Sequence, residues 1–148
     1  MLLASEKASS LVDLHPAVLV VLFLSVFPLY LSCAYPTVAP RDSADMAAAA
    51  LTLGPAHPPG YPLYCLLGKA WITLLPLGDP AYRLNVLSAV AGAAAVVAFC
   101  AWLAAECGSM AAALGGALCF AFSAPLWKFS LLAEMYSLQA LFAVSLLS

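Results

Sequence analysis

The side chains of this chain that could do chemistry crowd into one stretch, RDSADMAAAALTLGPAHPPGYPLY, from Arg41 to Tyr64. Asp42 and Asp45 stand at its front, and His57, Tyr61 and Tyr64 follow among its prolines. A positioned carboxylate can take a proton from a hydroxyl nucleophile. The same Asp-Ser-Ala-Asp run is also a good helix start, in which Asp42 or Ser43 caps and Asp45 favours the helix dipole. His57 precedes two prolines, where it can meet a ligand or stay solvated. Further on, Lys69 and Arg83 carry cations that can hold an anion or snorkel to headgroups. Glu134 opens an apolar run. An ionisable group there is a functional candidate by default, although an acid in a first turn also serves the helix dipole. The sequence shows neither a metal-ligand spacing nor a Ser/His/Asp set, and the "ALGG" of Ala113 to Gly116 suits close helix packing rather than a phosphate loop.

The elements that must hold these residues are set by composition. The chain has 148 residues, of which 66% are hydrophobic and 8% charged, and its mean hydropathy is +1.04. So few charges cannot coat a soluble core, and long apolar runs in such a chain read as membrane spans. The net charge of −2 gives no reason to expect a nucleic-acid partner. Five cysteines occur without a CxxC pair; Cys33 and Cys65 flank the polar stretch and could pair on an oxidising side.

An all-α polytopic membrane protein follows, with spans over about 16–35, 84–105, 109–127 and 134–148. The residues before Pro16 read as a cytoplasmic leader, and the run after them as an uncleaved anchor rather than a signal peptide. Residues 36–83 form an external loop with short interfacial helices. One helix runs through ADMAAAALTL to a stop at Gly54-Pro55. HPPGYP is a stiff elbow. Pro62 to Leu77 is too short to span with ease, and Lys69 at its middle opposes insertion, so it is expected to lie in the interface with Tyr64 and Trp71 at headgroup level. The last span stops inside LFAVSLLS, which is expected of the N-terminal part of a larger protein. On this topology Asp42 and Glu134 share the outer face. The positive-inside rule dissents, because Arg41, Lys69, Arg83 and Lys128 would all lie outside.

The run DSADMAAAALTLGPAHPPGYPLYCLLGKAWITLLPLGDPAYRLNVLSA, with FSAPLWKFSLLAEMYSLQALF after it, resembles a family of polytopic membrane proteins once catalogued as a domain of unknown function. Its animal member is an endoplasmic-reticulum protein O-mannosyltransferase, and the family is similar to the GT-C glycosyltransferases. The resemblance implies the N-terminal part of a GT-C-like fold. It also implies transfer of a sugar from a polyprenyl-phosphate donor to a hydroxyl on a protein or glycan, at the non-cytoplasmic face. The family's acidic loop residue matches Asp42, with Asp45 beside it where many relatives carry Glu; these are the expected catalytic residues. His57, Tyr61, Lys69, Arg83 and Glu134 are the expected substrate contacts, with Tyr61 able to stack on a sugar. No cofactor is implied beyond the lipid-linked sugar, and dependence on a divalent metal stays open. The expected location is an integral membrane one, the bacterial inner membrane or the endoplasmic reticulum of a eukaryote. The competing expectation is a transporter or a lipid-binding scaffold without catalysis, which would keep its ionisable groups near the midplane rather than at span ends.

Overall fold

The computed structural model describes residues 16–147; the leader expected over residues 1–15, and Ser148, lie outside the described residues. Every regular element described is helical: α1 (Pro16–Cys33), α2 (Ser43–Thr52), α3 (Pro62–Leu74), α4 (Pro80–Cys107), α5 (Met110–Ala121), α6 (Ala124–Phe129) and α7 (Tyr136–Ser145). Among them α1 and α4 are long and apolar enough to cross a membrane. At about 1.5 Å per residue, the 28 residues of α4 reach about 42 Å.

Helix α4 is the axis of the fold, and α1, α2, α3, α5, α6 and α7 all pack on it. Its residues explain why so many neighbours fit. Ala89, Ala93, Val96, Cys100 and Ala104 form a narrow buried stripe, met by Ala113, Ala117 and Ala121 of α5 and by Leu22 and Val26 of α1. Small side chains four apart fall on one helix face and let backbones approach closely. Gly92 takes this furthest: an added Cβ would lie 2.8 Å from Ser130 Cβ and overlap the Ser130 hydroxyl. Tyr30 of α1 closes this layer. It is fully buried, its hydroxyl donates to the Ala121 carbonyl at 2.7 Å, and its ring meets Trp127 edge-on.

Several boundaries differ from the sequence expectation, each for a local reason. Helix α4 starts at Pro80 rather than Leu84, because Asp79 caps it by accepting from the Tyr82 N–H at 2.7 Å and Pro80 suits a first turn. The stretch 109–127 is two helices. Pro125 cannot continue α5, so Ser123 turns extended and α6 begins. Helix α2 stops at Thr52, with Leu53 left-handed at φ 56° and its N–H returned to Ala49. Glu134 precedes α7 instead of opening it, since α7 starts at Tyr136. Tyr64 is no surface anchor: it is buried beside Met46, Ala49 and Met135. All five cysteines are free, so Cys33 and Cys65 are not bridged.

Candidate functional site

The site is assembled at the N-terminal end of α4, where the loop from Ala34 to Asp42 is pinned. Asn85, fully buried, donates from Nδ2 to the carbonyls of Tyr35 at 2.7 Å and Thr37 at 2.9 Å. The Thr37 hydroxyl donates to the Asp79 carboxylate at 2.5 Å, and the Ser43 hydroxyl accepts from the Ala39 N–H at 3.3 Å. Tyr35 N–H also reaches the Leu131 carbonyl at 3.1 Å, which ties this loop to the link between α6 and α7. These bonds bring Arg41 and Asp42 against Glu134, although the sequence separates them by about 90 residues.

Asp42 stands at the N-cap position of α2, but its side chain makes no capping bond. It is exposed, and Oδ2 lies 3.6 Å from His57 Nε2. His57 Nδ1 sits 3.2 Å from the Pro58 carbonyl. A carbonyl only accepts, so Nδ1 carries a proton in that contact and Nε2 is turned to the carboxylate. Asp45 has a different duty. Its Oδ2 accepts the His57 backbone N–H at 2.9 Å, which fixes the elbow that carries the imidazole. Tyr61 sits edge-on to the His57 ring at 5.5 Å between centroids. Two residues here hold backbone conformations that side chains disfavour: Arg41 at φ 78° and Tyr61 at φ 41°. Such strain concentrates at functional sites.

Glu134 is 1% exposed, and neither of its carboxylate oxygens has a hydrogen-bond partner among the described residues. Its ion-pair contact is with Arg41, whose Nε lies 3.5 Å from Oε1. Burial pushes the Glu134 carboxyl above the usual carboxylate range; Arg41 opposes that shift and Asp42 reinforces it, with Lys128 and His57 opposing more weakly. The Tyr64 hydroxyl, also buried without a partner among the described residues, is pushed up by burial first, then by Cys65 and Glu134. Arg41 also borders an open cavity of about 470 Å³, together with Lys128, Tyr35 and Trp127. That lining holds two cations and no acid. A second cavity, about 200 Å³, lies between α3 and α7 and is walled by Tyr61, Tyr64, Met135 and Phe142.

The structure therefore gathers Asp42, Asp45, His57, Tyr61 and Glu134, and leaves Lys69 and Arg83 outside. Lys69 donates to the Leu51 carbonyl at 2.6 Å, closing the end of α2. Arg83 is spent on three carbonyls, Ile72 at 2.9 Å, Gly78 at 3.0 Å and Leu77 at 3.3 Å, and locks the end of α3 onto α4. Trp71 joins that lock through its indole N–H to the Arg83 carbonyl at 2.8 Å. A cation beside helix ends and Gly-containing turns meets free carbonyls first. Sequence reasoning missed Arg41 as the partner of Glu134 and Asn85 as the clamp. Their signal was present: Arg41 adjoins the candidate acid, and Asn85 is an amide inside an apolar helix. Among the described residues, no group of three or more His, Cys, Asp or Glu is arranged to hold a metal ion.

Residues 42–147 match the family model described as the protein O-mannosyl-transferase TMEM260 N-terminal domain. The chain belongs to the TMEM260 family. The mouse protein O-mannosyl-transferase TMEM260 is 44% identical over 101 residues, which cover 68% of this chain and 14% of the mouse protein. The protein O-mannosyl-transferase tmem260 of Dictyostelium discoideum is 28% identical over 133 residues, covering 88% of this chain and 16% of that protein. The chain thus spans about a seventh of the length of these TMEM260 relatives. No solved structure matches it. The TMEM260 match begins at Asp42, and so takes in the loop acid, the elbow, the α3–α4 lock and Glu134.

Proposed function

We propose that this chain carries the acidic loop of a GT-C-type membrane glycosyltransferase. In this reading the enzyme moves mannose from a polyprenyl-phosphate donor to a hydroxyl of a protein or glycan, on the non-cytoplasmic face of the membrane. The observation that carries the reading is Asp42: an exposed carboxylate, free of its own helix N-terminus and 3.6 Å from an imidazole nitrogen. The names of the mouse and Dictyostelium relatives, protein O-mannosyl-transferases, support the transfer of mannose to protein.

The chemistry follows from these groups. The acceptor oxygen attacks the anomeric carbon and its proton passes to Asp42, while the bond from that carbon to the phosphate oxygen breaks. The departing lipid phosphate is an anion, and Arg41, with Lys128 nearby over the Phe129 ring, is the cation at the adjoining cavity that can meet it. The turn held by Asp45 sets the His57 ring 3.6 Å from the Asp42 carboxylate, where a protonated imidazole would pair with it. A transporter reading fares worse, because the charged groups of the described residues, Glu106 apart, gather toward the N-terminal end of α4, Glu106 stands at its other end, and none lies in its interior stripe.

The test compares Asp42→Asn with Asp45→Asn in the full-length protein, reading mannose transfer from a polyprenyl-phosphate mannose to a peptide acceptor. Asp42→Asn should fold and express but lose turnover by a factor on the order of 10² or more. Asp45→Asn should lose less, since it removes a brace rather than the base. An active Asp42→Asn beside a dead Asp45→Asn would give the base role to Asp45.

A further inference from the structure

We propose that Glu134 and the donor phosphate share Arg41 as their counter-ion, so that donor binding is coupled to proton uptake by Glu134. The proposal rests on the donor reading above and adds a control to that site. It starts from an imbalance. Glu134 is buried with both oxygens lacking hydrogen bonds among the described residues, a costly state for a carboxylate. Its ion-pair contact, Arg41, is about half exposed, loosely placed at 3.5 Å, and mounted on a left-handed backbone. Arg41 also borders the cavity whose rim includes Lys128, the ammonium of which lies over the Phe129 ring at 5.5 Å. One guanidinium is thus shared between a buried acid and an open cavity whose lining carries no acid to repel an anion.

An anion entering that cavity draws on Arg41 and brings a second negative charge close to Glu134. Both effects favour the neutral acid, so Glu134 takes one proton from solvent as the anion binds. Every charged or titratable group facing Glu134 enters the balance. Arg41 lies on the loop before α2, Asp42 begins α2, and His57 stands on the elbow before α3. Tyr64 comes from α3 and Lys128 from α6. Asp42 pushes the same way as the incoming anion, and Lys128 and His57 push against it. Linkage is reciprocal: whatever favours proton uptake on binding makes an ionised Glu134 weaken the donor.

The test uses the full-length protein in detergent and methyl farnesyl phosphate, a diester that keeps a single charge near neutral pH. Titration calorimetry in two buffers of different ionisation enthalpy counts the protons bound. Wild type should take up a measurable fraction of a proton per diester. Glu134→Gln should abolish the uptake and bind roughly fivefold tighter or more. Arg41→Gln sits at a half-exposed position and does not depend on tolerance in the core; it should bind more weakly and also lose the uptake, because Glu134 is then neutral beforehand. Binding without proton uptake in wild type, or uptake that survives in either variant, overturns the coupling and leaves the donor reading standing. If wild type does not bind the diester, the donor reading fails and the coupling fails with it.

Discussion

Replacing Gly92 with alanine should pull the fold and the site apart at one identifiable contact. Gly92 lies on α4 where the start of the α6–α7 link rests on it. A Cβ there would overlap the Ser130 hydroxyl, lie 2.8 Å from Ser130 Cβ and come within 3.3 Å of the Tyr30 ring. None of these atoms can step aside freely. Ser130 is fully buried with its hydroxyl bonded to the Leu126 carbonyl at 2.7 Å, and Tyr30 is held by Ala121. Overpacking of this kind costs about 1–3 kcal/mol. Relief must come from moving the link away from α4, and because Glu134 sits in that link the movement would carry it out of Arg41's reach. Thermal unfolding of the full-length protein in detergent, with Ser130→Gly as the second arm of a double-mutant cycle, measures the contact. Gly92→Ala with Ser130→Gly should cost less than the sum of the two alone, by about 0.5 kcal/mol or more. Gly115 is the control, since a Cβ there meets nothing within 4 Å; Gly115→Ala should be neutral or stabilising, by up to about 1 kcal/mol from helix propensity. Additive costs, or a harmless Gly92→Ala, would refute the packing argument.

Three other outcomes are expected. Arg83→Lys should destabilise the α3–α4 corner, because an ammonium cannot reproduce a planar fork on three carbonyls, and should lower unfolding temperature without a selective loss of donor binding. Asp79 is held below the usual carboxylate range by the Thr37 hydroxyl and then the Tyr82 N–H. Its contribution is present above the ordinary carboxylate range and is lost as pH falls through the lowered value, so Asp79→Ala should flatten the acid limb of the stability profile. Glu134 has the opposite sign: its raised carboxyl favours the folded state at low pH, and that stability is lost as pH rises through the raised value. Glu134→Gln should therefore be relatively more stable on the alkaline side, and an unchanged pH profile would contradict its burial.

The sequence by itself determined the helical class, the apolar runs of α1 and α4, and the place where reactive groups collect. Composition and run length are local properties, and they suffice for these. Asp42, Asp45 and His57 were legible because all three stand in one short polar stretch, whose resemblance to the TMEM260 family is itself carried by sequence. What each does was decided only by tertiary structure. Asp42 and Asp45 look alike in the run DSAD, yet the chain's return at the elbow gives Asp45 the His57 N–H and leaves Asp42 open. Lys69 and Arg83 looked like ligand cations because a sequence does not show which carbonyls a helix end leaves free beside them. Tyr64 looked like a surface ring until α2 and Met135 covered it. Glu134 gained its partner from Arg41 across about 90 residues, through an Asn85 clamp and a Gly92 gap that matter only once α4 has neighbours on every side. Long-range pairing depends on which faces meet, and that is fixed by packing rather than by any local pattern.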